Sequence, residues 1–119
     1  MRILIVETND KTRLELFKSL NKEGYYVESV DNKSAAEKIL KVSKFDFVLS
    51  NQDIPGLDRA EKLLGDPPMI LYTVELTKIA KRFSSVLFMT SATLEGIKNH
   101  AMWVFNNSVE KNTQVANSI

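Results

Sequence analysis

Apolar residues in this chain fall into short unbroken runs, and between the runs they recur at helical spacing. Ile3–Val6 is a continuous aliphatic run, the mark of a strand covered on both faces. Thr8, Asn9 and Asp10 offer N-caps for a helix to about Asn21, with Leu14, Phe17 and Leu20 at helical spacing, Leu16 beside them and Gly24 as the stop. Tyr25–Val30 reads as a second strand. Asp31-Asn32 turns the chain into a second helix, where Ser34 and Glu37 have capping-box spacing and Ala35, Ala36, Ile39 and Leu40 face inward. Phe45–Ser50 is a third strand. Leu57–Leu64 has room for about two helical turns before Gly65-Asp66-Pro67-Pro68 ends it. Met69–Tyr72 is a fourth strand, and Leu76, Ile79, Ala80 and Phe83 mark a short fourth helix. Val86–Met89 is a fifth strand. A last helix from about Leu94 to Phe105 carries Leu94, Ile97, Ala101 and Val104 on one face.

This alternation predicts an α/β fold: a flavodoxin-like (βα)5 three-layer sandwich on a five-stranded parallel sheet, with right-handed crossovers. The expected strand order is 2-1-3-4-5, which puts the site at the switch point between the first and third strands. The third and fourth helices are expected to be shortened. Residues 1–106 form one domain in this reading, and 107–119 a polar C-terminal tail or linker without periodicity.

Composition narrows the chemistry. The chain has 119 residues, 44% hydrophobic and 26% charged, enough for one hydrophobic core. It has no cysteine, which removes disulfides, thiolate metal sites and cysteine nucleophiles, and its one histidine, His100, argues against a Ser-His triad. A net charge of +1 with dispersed Lys and Arg gives no reason to expect nucleic-acid binding. Lys78, Lys81 and Arg82 form only a small cluster, read as a solvated face. No stretch has the length to span a bilayer and none resembles a signal peptide, so a cytoplasmic location is expected. Glu7-Thr8-Asn9-Asp10 after the first strand contains no glycine, which argues against a nucleotide-binding Rossmann domain.

The chemistry-bearing segment is Phe45–Asp58, where a buried strand ends at Asn51 and a Pro55-Gly56 turn follows. It resembles the active-site strand and loop of bacterial response-regulator receiver (CheY-like) domains, with Asp46, Val48, Pro55, Gly56 and Asp58 in register. The resemblance covers roughly Arg2–Phe105. It implies a two-component signal-transduction module in which an aspartate accepts a phosphoryl group beside Mg²⁺. Here the acceptor position is Asn51, whose amide has no anionic oxygen to attack phosphorus. The acidic pair that holds the metal is matched by Glu7 and Thr8, leaving one carboxylate and only weak Mg²⁺ binding at Glu7. The strand-end hydroxyl is retained as Thr73. The switch aromatic aligns with Val86, and the lysine and the proline after it with Met89 and Thr90, the register being fixed by Glu95.

These departures fall on one constellation. The resemblance therefore implies a degenerate, atypical pseudo-receiver: no enzyme and no cofactor, acting independently of phosphorylation through protein–protein interaction. Asn51 is expected to hold the site in one state by hydrogen bonding to Glu7 and Thr8. The partners implied are a signalling kinase or an output protein of a phosphorelay. A homodimer through the fourth helix, fifth strand and fifth helix face is a further expectation, as are Trp103 and Met102 as partner surface. Two alternatives stay open: phosphoryl transfer at a non-standard acceptor, Asp53, and a flavodoxin-like small-ligand-binding domain.

Overall fold

A computed structural model of the chain describes residues 1–51, 53–55, 69–73, 86–90 and 93–117. Among these, five strands make one parallel sheet: β1 (Arg2–Val6), β2 (Tyr26–Val30), β3 (Phe47–Asn51), β4 (Met69–Thr73) and β5 (Val86–Thr90). Their order is β2-β1-β3-β4-β5, the order expected from the sequence. Three helices are described: α1 (Asp10–Lys22), α2 (Lys33–Val42) and α3 (Leu94–Asn117). The helices expected over Leu57–Leu64 and Leu76–Phe83, with Lys78, Lys81 and Arg82, lie outside the described residues.

β1, which lies between β2 and β3 in the sheet, is buried on both faces. Ile3, Leu4, Ile5 and Val6 all have no exposed surface, and their side chains alternate between two cores. Ile3 and Ile5 join Leu16 and Leu20 of α1, Phe47, Leu49, Ile70 and the Ile97, Ala101 and Phe105 face of α3. Leu4 and Val6 join Ala36 of α2, Phe45, Val48, Ile54 and Leu71 on the other side. Three layers follow directly. Phe105 closes the first core by meeting Tyr25 edge-on at 5.4 Å and Phe47 at 4.8 Å between ring centroids. Lys98 ties α3 to the end of α1 by reaching Glu95 at 3.0 Å and Glu23 at 3.4 Å.

Several local expectations are corrected. On α1 the buried pair is Leu16 and Leu20 with Phe17 half-buried, while Leu14 is 52% exposed. The i, i+4 pair lies over β1, and of the expected stripe only Leu14 is turned to solvent. On α2 the cap is Asn32, whose side-chain oxygen accepts from the Ala35 N–H at 2.8 Å. Ser34 is already inside the helix, so Ser34 and Glu37 form no capping box, and Ala36 is the residue driven into the core. On α3 the core stripe is Ile97, Ala101 and Phe105, with Leu94, Met102 and Val104 partly buried beside it. Phe105 thus belongs to the stripe. The helix also runs on to Asn117, through the stretch expected to be an aperiodic tail. Nothing between Asn106 and Asn117 breaks a helix, since the segment holds neither proline nor glycine. Gly24 stops α1 as expected, at φ 97°, where a side chain would be strained.

Candidate functional site

The register of the sheet assembles the site. Val6 lies opposite Ser50, and Asn51 lies opposite Tyr72, so the carboxyl ends of β1, β3 and β4 stand side by side. The chain order reverses between β1 and β3, which makes this edge the place where an open α/β sheet holds its ligands. Glu7 follows β1 directly and continues the parity of Ile3 and Ile5. It is only 2% exposed, and its backbone N–H is held by the Val30 carbonyl at 3.0 Å.

A carboxylate taken this far from water must have its oxygens satisfied. Glu7 Oε1 accepts from Asn51 Nδ2 at 3.0 Å and from the Tyr72 hydroxyl at 2.5 Å, while Oε2 accepts from the Asn9 N–H at 3.0 Å. All three partners are donors, the complement that an acceptor-only carboxylate requires. Tyr72 is 1% exposed, and its phenol is held well above the usual tyrosine range by burial first and then by the Glu7 charge and hydrogen bond. The Glu7 carbonyl in turn accepts from Arg13 Nη1 at 2.8 Å, and Arg13 Nη2 is paired with Asp10 at 2.5 Å. The first turn of α1 is thereby fixed to the end of β1.

Asn51 works in both directions. Its amide nitrogen donates to Glu7, and its Oδ1 accepts from the Asp53 N–H at 2.9 Å, forming an Asx-type turn into the loop. The Asn51 carbonyl accepts from the Ile54 N–H at 3.4 Å, and Ile54 is buried in the second core. An aspartate here could accept from the loop but could not donate to Glu7, so the residue type matches its two neighbours. Asp53 is exposed at the turn.

The other residues singled out from the sequence fall as follows. Thr8 is exposed, and the amide of Asn51 goes to Glu7 instead. In the strand register Thr73 pairs with Thr90 at the carboxyl ends of β4 and β5, Met89 with Tyr72, and Val86 with Met69 at the far, amino end of β5. Trp103 is 65% exposed and Met102 half-buried on α3, with His100 exposed one turn before. Gly56 and Asp58 lie outside the described residues. Sequence reasoning missed Tyr72 and Arg13. The available signal was a tyrosine in an otherwise aliphatic strand, since a buried phenol needs a hydrogen-bond partner.

A hard dication needs several oxygen ligands with net negative charge. The described residues contain no group of three His, Cys, Asp or Glu placed to hold one. Glu7 brings one carboxylate with both oxygens already engaged by protein donors. The described residues do not fit Mg²⁺.

Sheet order and helix placement define a flavodoxin-like α/β domain, with an acid meeting a β3-end residue at the switch point. No protein-family model and no curated protein matches the chain. Solved structures do. The N-terminal domain of a response regulator/sensory box/GGDEF three-domain protein from Carboxydothermus hydrogenoformans is similar with a TM-score of 0.68 at 22% identity, over 92% of this chain and 99% of that one. A CheY-like response regulator receiver domain protein from Methanospirillum hungatei gives a TM-score of 0.67 at 20% identity, over 89% and 97%. A chain from the complex of the histidine kinase ThkA with the response regulator TrrA gives 0.65 at 22% identity, over 85% and 95%. The chain resembles the response-regulator receiver family and has its fold. Among the described residues no helix is long and apolar enough to cross a membrane.

Proposed function

We propose that this chain is a receiver-type signalling domain of the two-component kind that acts through protein contact and is not switched by phosphorylation at its strand ends. It is a pseudo-receiver with no enzymatic activity of its own. The observation that carries the reading is the placement of Asn51, which occupies the carboxyl end of β3 and is held between Glu7 Oε1 and the Asp53 N–H. An amide has no anionic oxygen to attack phosphorus, and this one is engaged on both sides. The 65% exposure of Trp103 on α3 supports a partner contact, because a large aromatic ring left in water is a common anchor at interfaces. A kinase or an output protein is the kind of partner this reading names.

The test is intact-mass measurement after incubation with a small phosphodonor and Mg²⁺. The expected spectrum shows no species heavier by one phosphoryl group. A stable phosphoprotein whose modification maps to Asp53 would replace this reading with one of transfer to a non-standard acceptor.

A further inference from the structure

We infer that Tyr72 is a second block in the acidic pocket, its hydroxyl standing on the Glu7 oxygen that a cation would need, so that an aspartate restored at position 51 binds Mg²⁺ more weakly than it would without that hydroxyl. The inference rests on the receiver reading of this site and adds to it a residue that the comparison of motifs does not identify.

The geometry carries it. Glu7 Oε1 is the oxygen that faces β3 and β4, because it accepts from both Asn51 and Tyr72, and the Tyr72 bond is the shorter of the two at 2.5 Å. Tyr72 reaches it from inside the sheet. Its ring is packed in the first core with Ile70, Leu49 and Ile5, and it is 1% exposed, so the hydroxyl has no open direction in which to withdraw. Asn51 differs in this respect. It is the half-buried last residue of its strand, on the rim of the site.

Replacing the Asn51 amide by a carboxylate would put a second oxygen about 3.0 Å from Oε1. That repulsion favours a cation, but Tyr72 O–H still occupies the inner side of Oε1 and can donate to either carboxylate. The hydroxyl thus competes with the metal for the oxygens both require. Its loss leaves a ring of almost the same shape and frees Oε1.

The experiment is Mg²⁺ titration calorimetry on four full-length proteins: wild type, Tyr72→Phe, Asn51→Asp, and the double variant. The expected order has the double variant binding on the order of tenfold tighter than Asn51→Asp, the scale on which neighbours of ligating groups tune metal affinity. Equal affinity in Asn51→Asp and the double variant overturns the inference. A second measurement avoids dependence on the Phe variants. In Asn51→Asp alone, the buried, hydrogen-bonded hydroxyl proton of Tyr72 should give an NMR resonance that persists through the Mg²⁺ titration, and its loss at saturation overturns the inference equally. Neither result bears on phosphodonor treatment of the wild type, which tests the receiver reading separately.

Discussion

Replacing Tyr72 by Phe deletes one oxygen from the interior and should destabilise the domain by about 2 kcal/mol. The magnitude follows from what that oxygen does. Hydrogen bonds to charged groups contribute roughly 1.5–3 kcal/mol each to stability. Glu7 keeps two of its three donors in the variant, the Asn51 amide and the Asn9 N–H, which places the loss inside that range rather than above it. Packing contributes little, since the ring remains and its neighbours Ile5, Leu49 and Ile70 stay in contact with it. For a chain of 119 residues the unfolding entropy is about 0.25 kcal/mol/K, so a loss of about 2 kcal/mol lowers Tm by about 8 °C. Urea unfolding followed by tryptophan fluorescence is the assay. The midpoint should fall with the slope unchanged, because the surface exposed on unfolding is the same. A loss below about 0.5 kcal/mol, the range of ordinary surface substitutions, would refute the view that this hydroxyl satisfies a buried carboxylate.

Two further outcomes follow from the same structure. The Tyr72 phenol has its pKa raised in the fold, so it contributes stability that is complete below about pH 10 and is lost as pH rises beyond the unfolded value. Alkaline unfolding should therefore be steeper in the wild type than in Tyr72→Phe, and a pH titration of the urea midpoint above pH about 10 checks it. On α3, Phe105→Ala should cost about 3–5 kcal/mol, because its fully buried ring bridges Tyr25 and Phe47, whereas Trp103→Ala, two residues earlier and 65% exposed, should stay within about 0.5 kcal/mol. Thermal melts of the pair check this, and equal losses would mean that the face of α3 turned to the sheet is misassigned.

The fold was legible because its signals are local. Every strand but β2 is a short, largely apolar run, each described helix has a cap or stop within a few residues, and alternation of the two admits few topologies. The errors arose where two local signals compete. Ser34 and Glu37 have the right spacing for a cap, but Asn32 meets the helix two residues sooner and its oxygen takes the Ala35 N–H first. Leu14 and Leu16 are both leucines on α1, and only the position of β1 beneath the helix decides which is buried. The end of α3 is a weaker case, since a polar segment without apolar period has helix propensity but no packing signal.

The candidate site was legible only in part for a different reason. Glu7 and Asn51 were found because each occupies a motif position, and they do meet, at 3.0 Å. Tyr72 stands 65 residues from Glu7, and only the strand register brings it there. Yet the demand for such a residue was present in the sequence. A carboxylate at the end of a fully buried strand cannot stand without a counter-charge or hydrogen-bond donors, since the uncompensated cost is several kcal/mol. Where Thr8 and Asn51 remove the neighbouring charges that a cation would need, Glu7 must instead find donors within the protein. Asn51 supplies one, the Asn9 backbone another, and Tyr72 the third. The substitutions are therefore coupled: the same amide that ends acceptor chemistry at position 51 helps keep the acid of β1 buried. In this chain that acid serves as a joint fastening β1, β3 and β4 together.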